Sequence, residues 1–383
     1  MSYGHPIVEV VVDGQPVANA FYERLVNLTV TDKEGVSSDT FDAELNDGPP
    51  DFFSMPRTGA IVDVRLGYRE TGVASVGKFT VDKVSCKCLP YSMSISGKSA
   101  DLRRGKFKEN KERHWDKKKL KDVVSEIAGE NGLAASVDGV GDHEYEWLGQ
   151  QDESDIHFLE RLARKHNAIF SVKNGRLIFV GRDSGQAASG AGLGSVIVTP
   201  ATIIKGSCSF EINDRTKYKK VTAYYQDRNK AERVEIDADS DAEGDSTYRL
   251  TEPYADVAEA DKAARSKAKQ LARDKGSASV TIVGDTSVIA GAPLLFSGVR
   301  PGLDGVPYII ETVTHTYNKS GGFTTKIDAK LYDGKSAGKG GKSGSGTDGT
   351  GSDGKVAPGA ASGTPATPSS FVSGRTAFAT DAN

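Results

Sequence analysis

The sequence predicts a mainly β protein: two similar β-barrel domains around an α+β insert, followed by a flexible C-terminal tail. Three observations carry this. Short runs with apolar residues two apart, ended by turn residues, fill residues 1–100 and return over 196–333. Two of these stretches are written in nearly the same pattern: Gly59-Ala60-Ile61-Val62-Asp63-Val64, then 79–85 and 91–96; and Gly291-Ala292-Pro293-Leu294-Leu295-Phe296, then 308–314 and 323–328. From 334 onward Gly, Ser, Lys, Thr and Pro dominate, and large apolar residues nearly vanish until Phe371 and Phe378. Such a segment cannot bury enough surface to fold alone. A chain that builds one barrel twice supplies two near-equivalent faces, and three such chains would supply six. Alternation also makes unrelated strands look alike, so the residues by themselves leave duplication and coincidence both open.

Taken in order, residues 1–100 read almost wholly as strand. The run 7–12 ends at Asp13-Gly14, a hairpin signal. Residues 25–31 alternate, as do 40–46, with Phe41, Ala43 and Leu45 on one face. Gly48-Pro49-Pro50 breaks the chain before strands near 60–68, 77–85 and 91–97. Residues 101–195 form the insert and a linker. Asp116 is placed to cap a helix over 117–131, with Leu120, Val123, Val124, Ile127 and Ala128 on one face and Gly132 beyond its end. A second helix starts near Ser154 and runs to about His166; then 168–172, Asn174-Gly175 and 176–180 form a hairpin. Residues 184–194, rich in Gly, Ala and Ser, read as the linker. The second barrel, 196–333, has strands near 196–204, 219–226, 278–284, 293–299, 307–317 and 322–332. An Ala-rich helix over about 256–275, ended by Gly276, interrupts them.

At 383 residues the chain can hold two or three domains with real cores, and 37% hydrophobic with 26% charged residues marks it as globular. A net charge of −3 gives no global case for nucleic-acid or membrane binding. There is no apolar run of membrane-spanning length and no signal-peptide core, so synthesis and assembly in a cytoplasm are expected. Cys86, Cys88 and Cys208 are an odd number in a reducing compartment and read as free thiols.

Motifs for chemistry do not hold up. The stretch 190–194 lacks the third glycine of a dinucleotide loop and no helix follows it. Gly341-Lys342-Ser343 ends like a phosphate loop but has Ser336 where the first glycine belongs. Asp237-Ala238-Asp239-Ser240-Asp241 opens like a calcium loop but has Ala242 and Tyr248 where Gly and Glu are required, which leaves an acidic hairpin tip. His114, His143, His157, His166 and His315 make no zinc pattern, and no nucleophile elbow occurs. No catalytic, cofactor-binding or metal residue is therefore assigned, and no cofactor is expected. A wall-hydrolysing enzyme, needing only two placed carboxylates, and a regulatory binding protein remain as alternatives. Residues 103–121 hold ten Lys/Arg against three Asp/Glu, and 232–245 hold seven Asp/Glu against one Arg. Such runs are solvated faces, or the basic one meets an acidic neighbour.

One stretch is specific: Gln151-Asp152-Glu153-Ser154-Asp155-Ile156-His157-Phe158-Leu159-Glu160-Arg161-Leu162-Ala163, continuing into 169–172 and 177–179. Together with the order barrel, insert, barrel, and the run Tyr308 to His315, it resembles the phage late control gene D family over roughly 1–333. These are hub proteins of contractile-tail baseplates, similar also to the N-terminal part of the valine-glycine-repeat spike proteins of type VI secretion. The resemblance implies a homotrimer whose two barrels form a pseudo-sixfold ring, a structural virion protein of the tail baseplate assembled in the host cytoplasm. It implies as partners the tail tube protein, a separate trimeric spike protein, other baseplate proteins and the tape measure, with no specific nucleic-acid binding. The signature residues Ser154, Asp155, Phe158, Leu159, Arg161, Leu162 and Ala163 are expected to be structural: Phe158, Leu159 and Leu162 as core on the following hairpin, Ser154 and Asp155 as helix caps. Phe371 and Phe378 are expected to anchor the tail on a neighbouring protein.

Overall fold

The computed structural model describes residues 4–35, 39–99, 107–173, 175–181, 194–213, 217–227, 231–241 and 244–332. The tail 334–383 with Phe371 and Phe378, most of the linker 184–194 and the basic residues 103–106 lie outside these. Strand β1 (Pro6–Val12) turns through Asp13 and Gly14, both at positive φ, into β2 (Gln15–Pro16), the two-residue hairpin that Asp-Gly favours. Helix α1 (Asn19–Arg24) follows where only strand is expected; none of its residues is buried, so it leaves no periodic signal. Then come β3 (Leu25–Lys33), β4 (Thr40–Asn46), β5 (Ile61–Tyr68), β6 (Gly72–Lys87) and β7 (Ser92–Ser99).

The insert is β8 (Asn110–Lys119), α2 (Leu120–Glu130), β9 (Ala134–Asp138), β10 (Glu144–Ser154), α3 (Asp155–Lys165), β11 (Ala168–Lys173) and β12 (Arg176–Gly181). The α2 helix starts later than expected. Asp116 lies in β8, the cap position is Lys119, and no side chain caps it. The five apolar residues expected on its inner face are all buried. Three strands were not anticipated here: β8, β9 and β10.

The last part runs β13 (Val196–Val198), β14 (Ser209–Ile212), β15 (Tyr218–Asp227), β16 (Glu232–Asp239), β17 (Ser246–Tyr254), α4 (Val257–Arg273), β18 (Gly276–Val283), β19 (Pro293–Phe296), β20 (Tyr308–Asn318) and β21 (Gly322–Leu331). Asp237 sits mid-strand in β16, not at a hairpin tip; its carboxylate accepts from Lys220 Nζ at 2.6 Å and Thr222 Oγ1 at 2.6 Å. Gly276 opens β18 and does not cap α4, whose C-cap is Asp274. A side chain at Gly276 would run into Leu331.

A 13-stranded sheet carries the fold in the order β14-β18-β21-β20-β3-β4-β7-β6-β5-β1-β2, with β19 pairing both β13 and β20. Two runs repeat one order: β3-β4-β7-β6-β5-β1 and β14-β18-β21-β20-β19-β13. The repeat reaches single hydrogen bonds. Gly59 N donates to Val81 O, and Val81 N to Ala60 O; Gly291 N donates to Ile310 O, and Ile310 N to Ala292 O. Both glycines hold φ near +90° (89° and 87°), where a side chain is strained. The register of β6 against β7 slips just after Val81, and that of β20 against β21 just after Ile310. Two differences are plain. β1 runs antiparallel to β5 whereas β13 runs parallel to β19. Between β3 and β4 lies a short connection, but between β14 and β18 lie β15, β16, β17 and α4.

Among the described residues four separate apolar clusters hold the elements: one under β1–β7 (Leu28, Phe41, Phe79), one under the second strand run (Val280, Phe296, Ile310), one in the insert, and one where Ala260, Ala264 and Ala268 of α4 lie on Val221 and Ala223 of β15. The small alanines let the helix approach the sheet closely.

Candidate functional site

The signature residues meet around α3. Ser154 is its N-cap and accepts from His157 N at 3.3 Å. Phe158, Leu159 and Leu162 are fully buried, and the hairpin residues Phe170, Val172, Leu177 and Phe179 share their cluster. Trp115 of β8 stacks on Phe158, ring centres 5.2 Å apart. Arg161 binds Glu153 and donates to Gly149 O at 3.0 Å, lying over the Phe158 ring.

Asp155 departs from the expected capping role. It is wholly buried, and it accepts four hydrogen bonds: Lys111 Nζ at 2.7 Å, Arg113 Nη2 at 2.8 Å, Gln150 Nε2 at 3.1 Å and Asn131 Nδ2 at 3.2 Å. Lys111 and Arg113 also bind Glu130. Donors thus come from β8, the end of α2 and β10. Buried charge is tolerated only when paired in this way. Part of the basic run meets acidic neighbours inside the chain, as Lys118 also does with Glu126 at 2.7 Å. The signal that could have found this is period two: Lys111, Arg113 and Trp115 alternate along β8 and so point the same way. With four donors on its carboxylate, Asp155 is occupied as a structural tie and not presented to a substrate.

The other end of α3 carries the most perturbed groups. Tyr145 Oη lies 2.5 Å from His166 Nε2, the tilted rings of His143 and His166 have centres 5.0 Å apart, and Lys262 Nζ of α4 lies 2.7 Å from His143 Nδ1. Burial, then the His143, Lys262 and Lys165 charges, push His166 down to about 3. Burial and Lys262 lower His143, and burial raises Tyr145. Lys165 binds Glu259 at 2.7 Å, and Ser266 Oγ donates to Arg164 O at 2.8 Å. The cluster therefore fastens the insert to α4. Sequence reasoning treated His143 and His166 only as absent zinc ligands, because their partner Lys262 lies far along the chain. Among the described residues, no group of three or more His, Cys, Asp or Glu is placed to hold a metal, and no helix is long and apolar enough to cross a membrane.

Two of the strand edges open among the described residues lie on β6 and β14. Among the described residues, the stretch of β6 from Lys83 to Lys87 is paired on one side only, by β7, and β14 is paired only by β18. Ile212 on β14 is 65% exposed and Leu89, just past β6, is 80% exposed. Unpaired edges are templates for another strand.

Comparisons with known proteins agree with this picture of an assembly component. A probable baseplate hub protein of Escherichia phage 186 is 29% identical over 370 residues, covering 86% of this chain and 94% of its own. A 43 kDa tail protein of prophage MuSo2 from Shewanella oneidensis shares the fold with a TM-score of 0.66 at 15% identity, over 85% of this chain and 98% of its own. The Escherichia coli c3393 protein, a component of the type VI secretion system, superposes with a TM-score of 0.50 at 11% identity, over 81% of this chain and 74% of its own. The sequence profile of the phage tail baseplate hub (GPD) matches residues 34–321, and the chain belongs to that family.

Proposed function

We propose that this baseplate hub works as a homotrimer whose two strand runs are similar β-barrels, giving a pseudo-sixfold ring that joins a sixfold tail tube to a separate threefold spike. The observation that carries this reading is the repeat within the 13-stranded sheet: the same strand order, the same glycine–alanine hydrogen bonds and the same register slip occur twice in one chain. Three copies of a twice-repeated unit present six near-equivalent edges. A closed ring needs a head-to-tail interface, in which the first barrel of one chain meets the second barrel of the next. An interface able to hold a tail together should bury well over about 1,000 Å².

The role is structural and not enzymatic; the polar clusters at both ends of α3 are spent on internal ties. Other baseplate proteins and the tape measure are further partners, and Phe371 and Phe378 anchor the tail 334–383 on a neighbouring protein. Native mass measurement with negative-stain imaging of the purified chain tests the reading: a trimer with sixfold texture is expected, and a monomer in assembled particles or a homohexamer would sink it. A peptidoglycan zymogram should be blank. Removing 334–383 should leave the trimer intact and weaken attachment of a partner.

A further inference from the structure

We infer that β6 of one copy pairs antiparallel with β14 of a second copy, in the register Val84 to Ile212, Ser85 to Glu211 and Cys86 to Phe210, which brings Cys88 opposite Cys208. This rests on the trimeric reading above and adds the seam itself. The chain contains one seam already. Where the two strand runs meet, β20 pairs with β3, with Val313 opposite Asp32, Thr314 opposite Thr31 and His315 opposite Val30. The internal repeat shows what the same seam would look like at the two open edges.

The transfer follows from pairings within each run. Val81 faces Gly97 and Val84 faces Ile95; Ile310 faces Ala329 and Val313 faces Ile327. These set β6 on β20, so Val84 stands where Val313 stands and Cys86 where His315 stands. Phe41 faces Gly97 as Ala278 faces Ala329, which sets β4 on β18. Val30 faces Phe41 as Phe210 faces Ala278, which sets β3 on β14. Phe210 therefore stands where Val30 stands, and Ile212 where Asp32 stands. Replacing each residue of the internal seam by its counterpart yields the stated register with no free choice.

Burial fits. At the internal seam Val313, His315, Val30 and Leu28 are buried, at 0%, 3%, 0% and 0% exposure. Their counterparts at the open edges are not: Val84, Phe210 and Cys208 are half-buried, Cys86 is exposed, and neighbouring Ile212 is 65% exposed. One seam has its partner inside the chain and the other lacks it. Charge fits as well. On the opposite face of the sheet Glu211 would face Ser85, with Lys83 and Lys87 as its diagonal neighbours, a spacing at which opposite charges attract.

The native thiols supply the test. Directly opposed residues in an antiparallel pair have Cα atoms roughly 4.5–5.5 Å apart, within the disulfide range of about 4.4–6.8 Å. Full-length chain carrying Cys86→Ser, which keeps Cys88 and Cys208, is oxidised with copper–phenanthroline. The two thiols give up two protons and two electrons to the oxidant as the S–S bond forms. A ladder ending in a covalent trimer on a non-reducing gel is expected, and adding Cys88→Ser or Cys208→Ser should abolish it. Hydrogen exchange supplies a second reading: amides of 84–87 and 209–212 should be protected in the trimer and exposed on dilution to monomer. If native mass shows no trimer at any concentration, the trimeric reading fails and this seam with it. If a trimer forms but these amides exchange freely, or Cys208 cross-links to Cys86 in the parent chain in preference to Cys88, the trimer stands and the seam is wrong.

Discussion

The two ends of α3 hold buried polar groups in opposite ways. At its start Asp155 is wholly buried among four donors, two of them cationic, and lies where the helix dipole also favours negative charge. At its end His166 sits at the C-cap, where the dipole favours a cation by roughly 0.3–1 kcal/mol. Burial and the neighbouring Lys262 and Lys165 win there, and the imidazole is held neutral, its pKa near 3. The lesson is that helix-end electrostatics decide only when the partners agree. One end recruits opposite charge from β8; the other excludes charge and relies on a hydroxyl.

The comparison can be broken most severely at Asp155. Asp155→Ala takes one of two carboxylates from Lys111 and Arg113 and leaves them Glu130, and urea unfolding of the full chain should show a loss of about 3–5 kcal/mol, as for one partner removed from a buried ion pair. At the other end, Tyr145→Phe removes the hydroxyl opposite His166 Nε2 and should cost about 1–3 kcal/mol, the penalty for a buried acceptor left without a donor. Acid titration sharpens the contrast. His166 takes a proton at about 6.5 when unfolded but only near 3 when folded, so the unfolded chain binds more protons in between. Stability is therefore full above pH 6.5 and falls as pH drops toward 3, by at most about 1.4 kcal/mol per pH unit for this group. His143 and His315, also lowered chiefly by burial, add in the same direction. Unfolding midpoints measured between pH 7 and 5 should fall, and a flat profile would show that His166 is not held neutral. The mildest change is Ser154→Ala, expected to cost about 1 kcal/mol through the lost N-cap and read as a small shift in thermal midpoint.

These two ends were unequally legible from sequence. Ser154 and the apolar spacing of Phe158, Leu159 and Leu162 announce the start and face of α3, because capping and amphipathicity are local. The role of Asp155 is not local. Its partners Lys111 and Arg113 lie on a strand whose many charges hide the single buried ring of Trp115, so β8 reads as a solvated run. The same masking hid β16, where alternating carboxylates look like a loop tip. Tyr145, His143 and Lys262 are joined only by tertiary packing, which no spacing reveals. The strand repeat, in contrast, showed in the sequence because Gly59-Ala60 and Gly291-Ala292 are fixed by backbone conformation and by hydrogen bonds to the next strand.

The unequal connections between matched strands have a consequence for how such a chain can change. The short connection between β3 and β4 is replaced, in its counterpart, by β15, β16, β17 and α4, with a core of their own. The pairing of β14 with β18 nevertheless matches that of β3 with β4. Loop closure grows only slowly with length, about 0.6 kcal/mol per doubling, so a sheet can accept a whole lobe at a hairpin tip without losing register. The sheet then acts as a chassis with a socket. A lobe carried between β14 and β18 can differ in size while the ladder that joins those two strands stays the same.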